Sequence, residues 1–135
     1  MVVRHLKNGA IVFKEGDPPD GMFVILGGKI RIFREASGHE TNLAVLQQGE
    51  FFGEMAVFEH KPRAATAQAV GDVDLRYISG REFEAMITDP FVRQMLSKMS
   101  ERLRRVDEAL TKLDVENDAR HSYLQTLSIH REWAV

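Results

Sequence analysis

Short apolar segments alternate with glycine-containing turns over the first eighty residues. The apolar segments are residues 10–13, 22–26, 29–33, 42–46 and 73–78. In segment 29–33, Ile30 and Ile32 fall on one face of a strand, and Lys29 and Arg31 fall on the other. Short strands at this spacing, with turn signals between them, are typical of an all-β barrel or sandwich.

Two of the intervening segments have the composition of defined turns. Residues 16–21 contain two consecutive prolines, which fix φ, and end on Gly21, which tolerates a positive φ. Ser37 and Gly38 separate two apolar segments and predict a β-hairpin turn.

After Gly80 the apolar pattern changes to a helical period. Residues 79–87 predict a short helix, with Ser79 as its N-cap and Glu82 three residues later. Asp89 and Pro90 then provide an N-cap and a first helical residue for a long helix.

The long helix carries an uninterrupted heptad pattern. Apolar residues recur at alternating steps of four and three: Val92, Leu96, Met99, Leu103, Val106, Leu110 and Leu113. This spacing favours a homodimer through the helix at 90–115 over a helix that only packs on its own domain. Arg102 and Asp107 occupy flanking positions where they could pair across a parallel dimer.

Composition limits the classes of function. The 135 residues include no cysteine, which excludes disulfides, thiol nucleophiles and cysteine-ligated metals. The net charge of −2 does not favour binding to nucleic acid or to an anionic membrane. Neither a bilayer-spanning segment nor a signal peptide is found, so we expect a cytoplasmic protein.

The histidines and hydroxyl residues do not indicate an enzyme. The five histidines, His5, His39, His60, His121 and His130, lack the spacing of metal ligands. A metal-dependent cupin would require a His-x-His pair followed by a nearby glutamate and a later histidine. The chain also lacks a G-x-S-x-G nucleophile motif. We therefore expect no catalytic residue and no metal.

Residues 51–67 carry the candidate chemistry. Residues 53–56 can form one helical turn whose free N–H groups attract anions. Glu54 can accept hydrogen bonds from two neighbouring hydroxyls, and Arg63 presents a permanently charged fork suited to a phosphate. Ala64 and Ala65 are small enough for their backbone N–H groups to reach the same phosphate. A ligand with one phosphate and a sugar hydroxyl would use this combination.

The same segment resembles the phosphate-binding cassette of the cyclic nucleotide-binding domain family. Residues 52–56, six intervening residues and then residues 63–66 carry the resemblance, which extends over about residues 4–115. Upstream positions that also fit the family are Gly9, Ile11, Phe13, Gly16, Asp17, Met22, Phe23, Ile25 and Gly28. The resemblance implies a mainly β fold with α-helices: an eight-stranded antiparallel β-roll followed by a short helix and a long C-terminal helix.

The resemblance also implies roles for individual residues. Glu54 would bind the ribose 2′-hydroxyl, and Arg63 would bind the exocyclic phosphate oxygens. The other cassette positions expected at the ligand, several of them through backbone contacts, are Gly53, Met55, Ala56, Ala64 and Ala65. In the family, threonine directly after the arginine favours guanine. Ala64 therefore points to cAMP, with cGMP as the alternative ligand.

These observations predict a cyclic nucleotide-binding domain at residues 1–115, with the β-roll at 1–79 and the helices at 80–115. The tail, residues 116–135, is expected to pack on the domain or to act as a lid, with Tyr123 or Trp133 stacking on the base. About twenty residues after Val115 are too few for a helix-turn-helix module. The predicted function is a stand-alone sensor that signals to an unidentified protein. The alternative is a degenerate β-roll that binds no nucleotide and serves as a dimerisation or scaffold module.

Overall fold

The computed structural model describes residues 1–113, which form six strands and three helices. In chain order these are β1 (Val2–Leu6), β2 (Ile11–Phe13), β3 (Gly21–Ala36), β4 (His39–Gln47), β5 (Phe51–Phe52), α1 (Glu54–Glu59), β6 (Thr66–Ser79), α2 (Gly80–Met86) and α3 (Pro90–Leu113). None of the three helices is long and apolar enough to cross a membrane. The predicted tail, with Tyr123 and Trp133, lies outside the described residues, as do residues 114 and 115.

All strand pairs are antiparallel and belong to one sheet. Its order is β1-β6-β3-β4, with β2 also paired to β6 and β5 also paired to β3. The predicted segments 22–26 and 29–33 are joined in β3, because the register shifts on both sides of Gly27 bend the strand without ending it. Gly28 has a φ of 86°, and a Cβ there would lie 2.4 Å from the Asp72 carbonyl oxygen. The bend divides β3 and β6 into two segments each, so the six strands correspond to the eight that the sequence predicts. The predicted β-roll is thereby confirmed.

The core lies inside the roll and follows the predicted alternation. Ile30 and Ile32 are fully buried, whereas Arg31 on the opposite face donates hydrogen bonds to Glu40, Asn42 and Gln68. Phe13, Phe23 and Phe52 pack together at one end, with ring centroids 5.3–6.1 Å apart. This aromatic cluster packs against the candidate site, through the Phe13 ring.

The hairpin and both helix starts agree with the sequence patterns. Ser37 and Gly38 have φ values of 54° and 78° and form the tight β3–β4 turn. The Ser79 hydroxyl accepts a hydrogen bond from the Glu82 N–H at 3.1 Å and caps α2. The Asp89 carboxylate accepts one from the Phe91 N–H at 2.8 Å at the start of α3.

The apolar heptad residues of α3 differ in their exposure to solvent. Leu96 and Leu103 are half-buried. Val92, Met99 and Val106 are 38%, 50% and 46% exposed. One set of heptad positions therefore faces the roll, while the other remains on the surface of this chain.

Candidate ligand-binding site

Arg63 lies in the connection between α1 and β6, where its backbone is held by the turn at residues 16–21. The Arg63 N–H donates to the Asp17 carbonyl, and the Arg63 carbonyl accepts from the Gly16 N–H, both at 2.8 Å. The diproline turn predicted from the sequence therefore fixes the backbone from which the Arg63 side chain projects.

The Arg63 side chain is buried and surrounded by groups of its own chain. The residue is only 2% exposed. Nη1 donates to the Gly53 carbonyl at 2.7 Å, and Nη2 donates to the Gly21 carbonyl at 2.6 Å and to the Asp20 carboxylate at 3.1 Å. The guanidinium carbon lies 4.1 Å from the centroid of the Phe13 ring. One carboxylate and two carbonyls thus hold a cation against the aromatic cluster.

The Arg63 guanidinium retains an unsatisfied donor. Burial lowers the pKa of Arg63, the Asp20 carboxylate opposes that shift, and an arginine at this position remains charged. Among the residues that the structure describes, none accepts a hydrogen bond from Nε. A buried donor without a partner is energetically costly. A phosphate oxygen would supply both the missing acceptor and a compensating charge.

Helix α1 begins directly beside this guanidinium. Gly53 caps the helix with a φ of 86°, and a Cβ there would lie 2.8 Å from Arg63 Nη1. Glycine is therefore required both by the backbone conformation and by the close approach of the arginine. Glu54, the first helical residue, is half-buried, while Met55 and Ala56 are buried.

Ala64 and Ala65 follow Arg63 and have different surroundings. Ala65 is fully buried in the core of the roll. Ala64 is half-buried, and its carbonyl accepts a hydrogen bond from Arg34 Nε at 2.9 Å. Arg34 also lies 3.8 Å from the Asp107 carboxylate on α3. Ala64 is thus connected to the long helix α3 through one arginine.

Helix α1 is also attached to α3. Arg104 Nε donates to both carboxylate oxygens of Glu59, at 2.8 and 2.6 Å. This bond is the main reason that the pKa of Arg104 is raised. The buried Ser100 hydroxyl lies 3.6 Å from the Met55 sulfur. The cassette and the long helix therefore share polar contacts at both ends of α1.

The structure places all seven predicted site residues around α1 and the start of β6. It brings Gly53 and Arg63 into direct contact, and it adds Asp20, Gly21 and Arg34, which the sequence analysis missed. The turn at 16–21 was identified as rigid, but a single sequence contains no signal that pairs Asp20 with a residue 43 positions later. Asp107 lies 3.8 Å from Arg34 of its own chain, and its pairing with Arg102 across a dimer stays a prediction.

Comparison with known proteins identifies the family. The family model described as "Cyclic nucleotide-binding domain" matches residues 3–89. A cyclic AMP receptor protein of Thermus thermophilus is 35% identical over 116 residues, which cover 84% of this chain and 54% of the relative. A cAMP-dependent protein kinase type II regulatory subunit of Drosophila melanogaster is 33% identical over 88 residues, 64% of this chain and 23% of the relative. The chain therefore belongs to the cyclic nucleotide-binding domain family.

A solved structure agrees with this assignment. The cAMP-bound form of the EAL enzyme Bd1971 matches with a TM-score of 0.70 and 28% identity, covering 83% of this chain and 31% of that chain. The chain thus spans about half or less of the length of these three relatives.

Proposed function

We propose that this chain is a regulatory domain that prefers cAMP and senses it without catalysing a reaction. The observation that carries the proposal is the buried guanidinium of Arg63 beside the glycine-capped start of α1, since no group within residues 1–113 accepts a hydrogen bond from its Nε. The relatives named for cAMP and the match to the family model support the ligand class.

Each part of the nucleotide has a candidate partner. The phosphate would accept from Arg63 Nε, and the ribose 2′-hydroxyl would donate to the Glu54 carboxylate. Backbone groups of Gly53, Ala56 and Ala65 would complete the phosphate site. Ala64 occupies the position where a threonine hydroxyl would favour guanine, so the proposed site binds cAMP more tightly than cGMP.

Binding would be coupled to movement of α1. The Arg63 side chain has no exposed area, so a phosphate can reach Nε only after the surrounding segment opens. The Gly53 carbonyl, which now accepts from Nη1, belongs to the residue that caps the start of α1. Displacing it would shift α1, and the Glu59–Arg104 contact would transmit that shift to α3. A ligand with higher affinity for the opened arrangement would increase its population.

The signal would be received at the exposed side of α3. Val92, Met99 and Val106 form an apolar stripe on the surface of this chain. Their heptad spacing fits a second copy of the same helix, so we infer a homodimer through α3. The proposed output is to the partner subunit or to a further protein in the cytoplasm, without direct contact to nucleic acid.

One observation favours a second function, that of a scaffold which binds no nucleotide. The Arg63 guanidinium already bridges the 16–21 turn and the start of α1, so the arginine could serve only to hold these segments together. In that case Glu54 and Arg63 would have structural roles, and α3 would still mediate dimerisation.

Isothermal titration calorimetry of the purified protein with cAMP, cGMP and a cyclic dinucleotide distinguishes these functions. The sensor predicts saturable binding of one cAMP per chain, weaker binding of cGMP, and weakest binding of the cyclic dinucleotide. The scaffold predicts no binding heat for any of the three. Tighter binding of cGMP would overturn the base preference but retain the ligand class.

A further inference from the structure

The Asp20–Gly21 backbone connects Arg63 to two other elements. Asp20 and Gly21 together accept two hydrogen bonds from Arg63 Nη2. The Asp20 carbonyl also accepts from the Tyr77 hydroxyl at 3.0 Å and from the Gly80 N–H at 2.9 Å. The position of the guanidinium therefore depends on how firmly this dipeptide is held.

Tyr77 holds the dipeptide with its ring as well as with its hydroxyl. A Cβ on Gly21 would lie 2.5 Å from Tyr77 Cε1 and 2.4 Å from the Ile78 carbonyl oxygen, so the strand passes directly against the ring. The ring is fixed in turn, because the Arg4 guanidinium carbon lies 4.1 Å from its centroid and the Phe23 ring packs at 5.4 Å. The Tyr77 ring is thus held in place against the Asp20–Gly21 backbone, which binds Arg63.

We propose that Tyr77 is a positioning residue for the phosphate-binding arginine. Its hydroxyl and ring fix the Asp20–Gly21 carbonyls, these fix Nη2, and Nε is thereby presented to the phosphate. Tyr77 itself is not required to touch the nucleotide. This inference rests on the proposed function, because it assigns to Arg63 a phosphate as its ligand.

The same contact connects the arginine to α2. The Gly80 N–H, at the start of α2, shares the Asp20 carbonyl with the Tyr77 hydroxyl. Removing the hydroxyl leaves Gly80 as the remaining donor to that oxygen. The ring contacts stay in place in Tyr77→Phe, so this variant tests positioning with little change in packing.

The experiment measures cAMP affinity by calorimetry in Tyr77→Phe, Arg63→Ala and the double variant. Loss of one hydrogen bond predicts about threefold to tenfold weaker binding in Tyr77→Phe, and a melting temperature only a few degrees below that of the wild type, so the variant stays folded at the temperature of the titration. In the Arg63→Ala background the same change should cause no further loss, because Tyr77 acts through Arg63. Unchanged affinity in Tyr77→Phe, or equal losses in both backgrounds, would overturn the proposal.

The matched control is Asn8→Ala. The Asn8 side chain, in the connection between β1 and β2, accepts one hydrogen bond at 2.8 Å from the N–H of Gly71, which lies within β6. Like Tyr77→Phe, Asn8→Ala removes one exposed hydrogen bond between a side chain and the backbone, but this bond lies away from Arg63. Its cAMP affinity should equal that of the wild type.

A measurement without nucleotide separates this proposal from the proposed function. Proton exchange at Arg63 Nε, followed by ¹⁵N NMR, should be faster in Tyr77→Phe than in the wild type and unchanged in Asn8→Ala. Equal exchange rates in wild type and Tyr77→Phe would contradict the positioning role. If the wild type binds no cyclic nucleotide, the proposed function fails, and the exchange rates still decide whether Tyr77 positions Arg63.

Discussion

At the scale of single residues, the proposed phosphate site depends on Arg63. It is a buried cation held by one carboxylate that is itself 63% exposed, together with two carbonyls. Burying this cation costs several kcal/mol of desolvation free energy. The negative charge of a bound phosphate would offset part of that cost.

Arg63→Ala should weaken cAMP binding by about 30-fold or more, because truncating one partner of a buried charge pair typically costs about 2–5 kcal/mol. Calorimetry measures the effect. The control is Arg105→Ala, which removes a 76% exposed side chain on α3 and should leave the affinity unchanged. Equal affinities in the wild type and Arg63→Ala would show that the phosphate site lies elsewhere.

Tyr77 gives a pH prediction with a defined sign. Burial is the main reason that the pKa of Tyr77 is raised, and the Asp20 charge adds to it, against the opposing charges of Arg4 and Arg63. A tyrosine whose pKa is higher in the folded state stabilises the fold below its unfolded pKa of about 10, and that contribution is lost as pH rises through the folded pKa.

Melting temperatures measured between neutral pH and pH values above 10 check this sign. The wild type should lose stability above pH 10 more steeply than Tyr77→Phe, which has no hydroxyl to ionise. Other groups titrate in the same range, but they are common to both proteins. Parallel curves for the two proteins would mean that ionisation of Tyr77 is not coupled to folding.

The site was predictable where its residues are close in sequence. Residues 53–56 and Arg63 lie within eleven positions, and their residue types and spacing, with the resemblance to the family's cassette, predict a phosphate site. Asp20 and Gly21 were outside that reach, since they meet Arg63 only through the pairing of β3 with β6 and the 16–21 turn. Contacts between strands distant in sequence are set by the topology, which no local pattern encodes.

At the scale of elements, α1 and α3 are connected by the Glu59–Arg104 pair. The Glu59 side chain is 13% exposed and that of Arg104 is 33% exposed, so the pair is partly screened by solvent. It joins the end of the cassette helix to the middle of α3. We expect it to hold α3 against the roll.

Glu59→Gln should loosen α3, because the neutral amide keeps the shape but loses the charge-assisted bond. Hydrogen exchange of the backbone amides around Arg104 should become up to about fivefold faster. The control, Glu101→Gln, alters a 54% exposed carboxylate 3.9 Å from Arg105 and should have little effect. If exchange is the same in Glu59→Gln and the wild type, α3 is held by other contacts.

The exposed stripe of α3 predicts a dimer that one charge can disrupt. Met99→Glu would place a carboxylate in the middle of the proposed apolar seam, where burying it without a partner is costly. Sedimentation analysis should show the wild type as a dimer and Met99→Glu as a monomer. Ser97→Glu adds the same charge at an exposed position of the same helix outside the heptad stripe, and it should remain dimeric. A monomeric wild type would refute the seam.

The elements were predictable where local signals are strong. The caps Ser79 and Asp89 and the hairpin at Ser37 act within a few residues, so the helix starts and the turn follow from the sequence. The pair Gly27 and Gly28 gave the opposite result, because glycines that suggest a turn can instead support a bulge in a continuous strand. Only the cross-strand register distinguishes these two outcomes.

At the scale of the whole molecule, the fold joins an antiparallel roll to a helix whose outer face is exposed in the part of the chain that the structure describes. Arg34 is bound to the Ala64 carbonyl and lies near Asp107, while Glu59 is bound to Arg104. With the Ser100–Met55 contact, these bonds join the cassette to α3. This arrangement suits a domain whose ligand changes the position of a helix.

Thermal unfolding of the wild-type protein with increasing cAMP decides whether the folded domain binds this nucleotide. A ligand that binds only the folded state stabilises it by about 2.7 kcal/mol at a free concentration of about 100 times Kd. The account predicts a melting temperature that rises continuously with cAMP concentration in the wild type and much less in Arg63→Ala. A wild-type melting temperature that stays constant up to millimolar cAMP would contradict it.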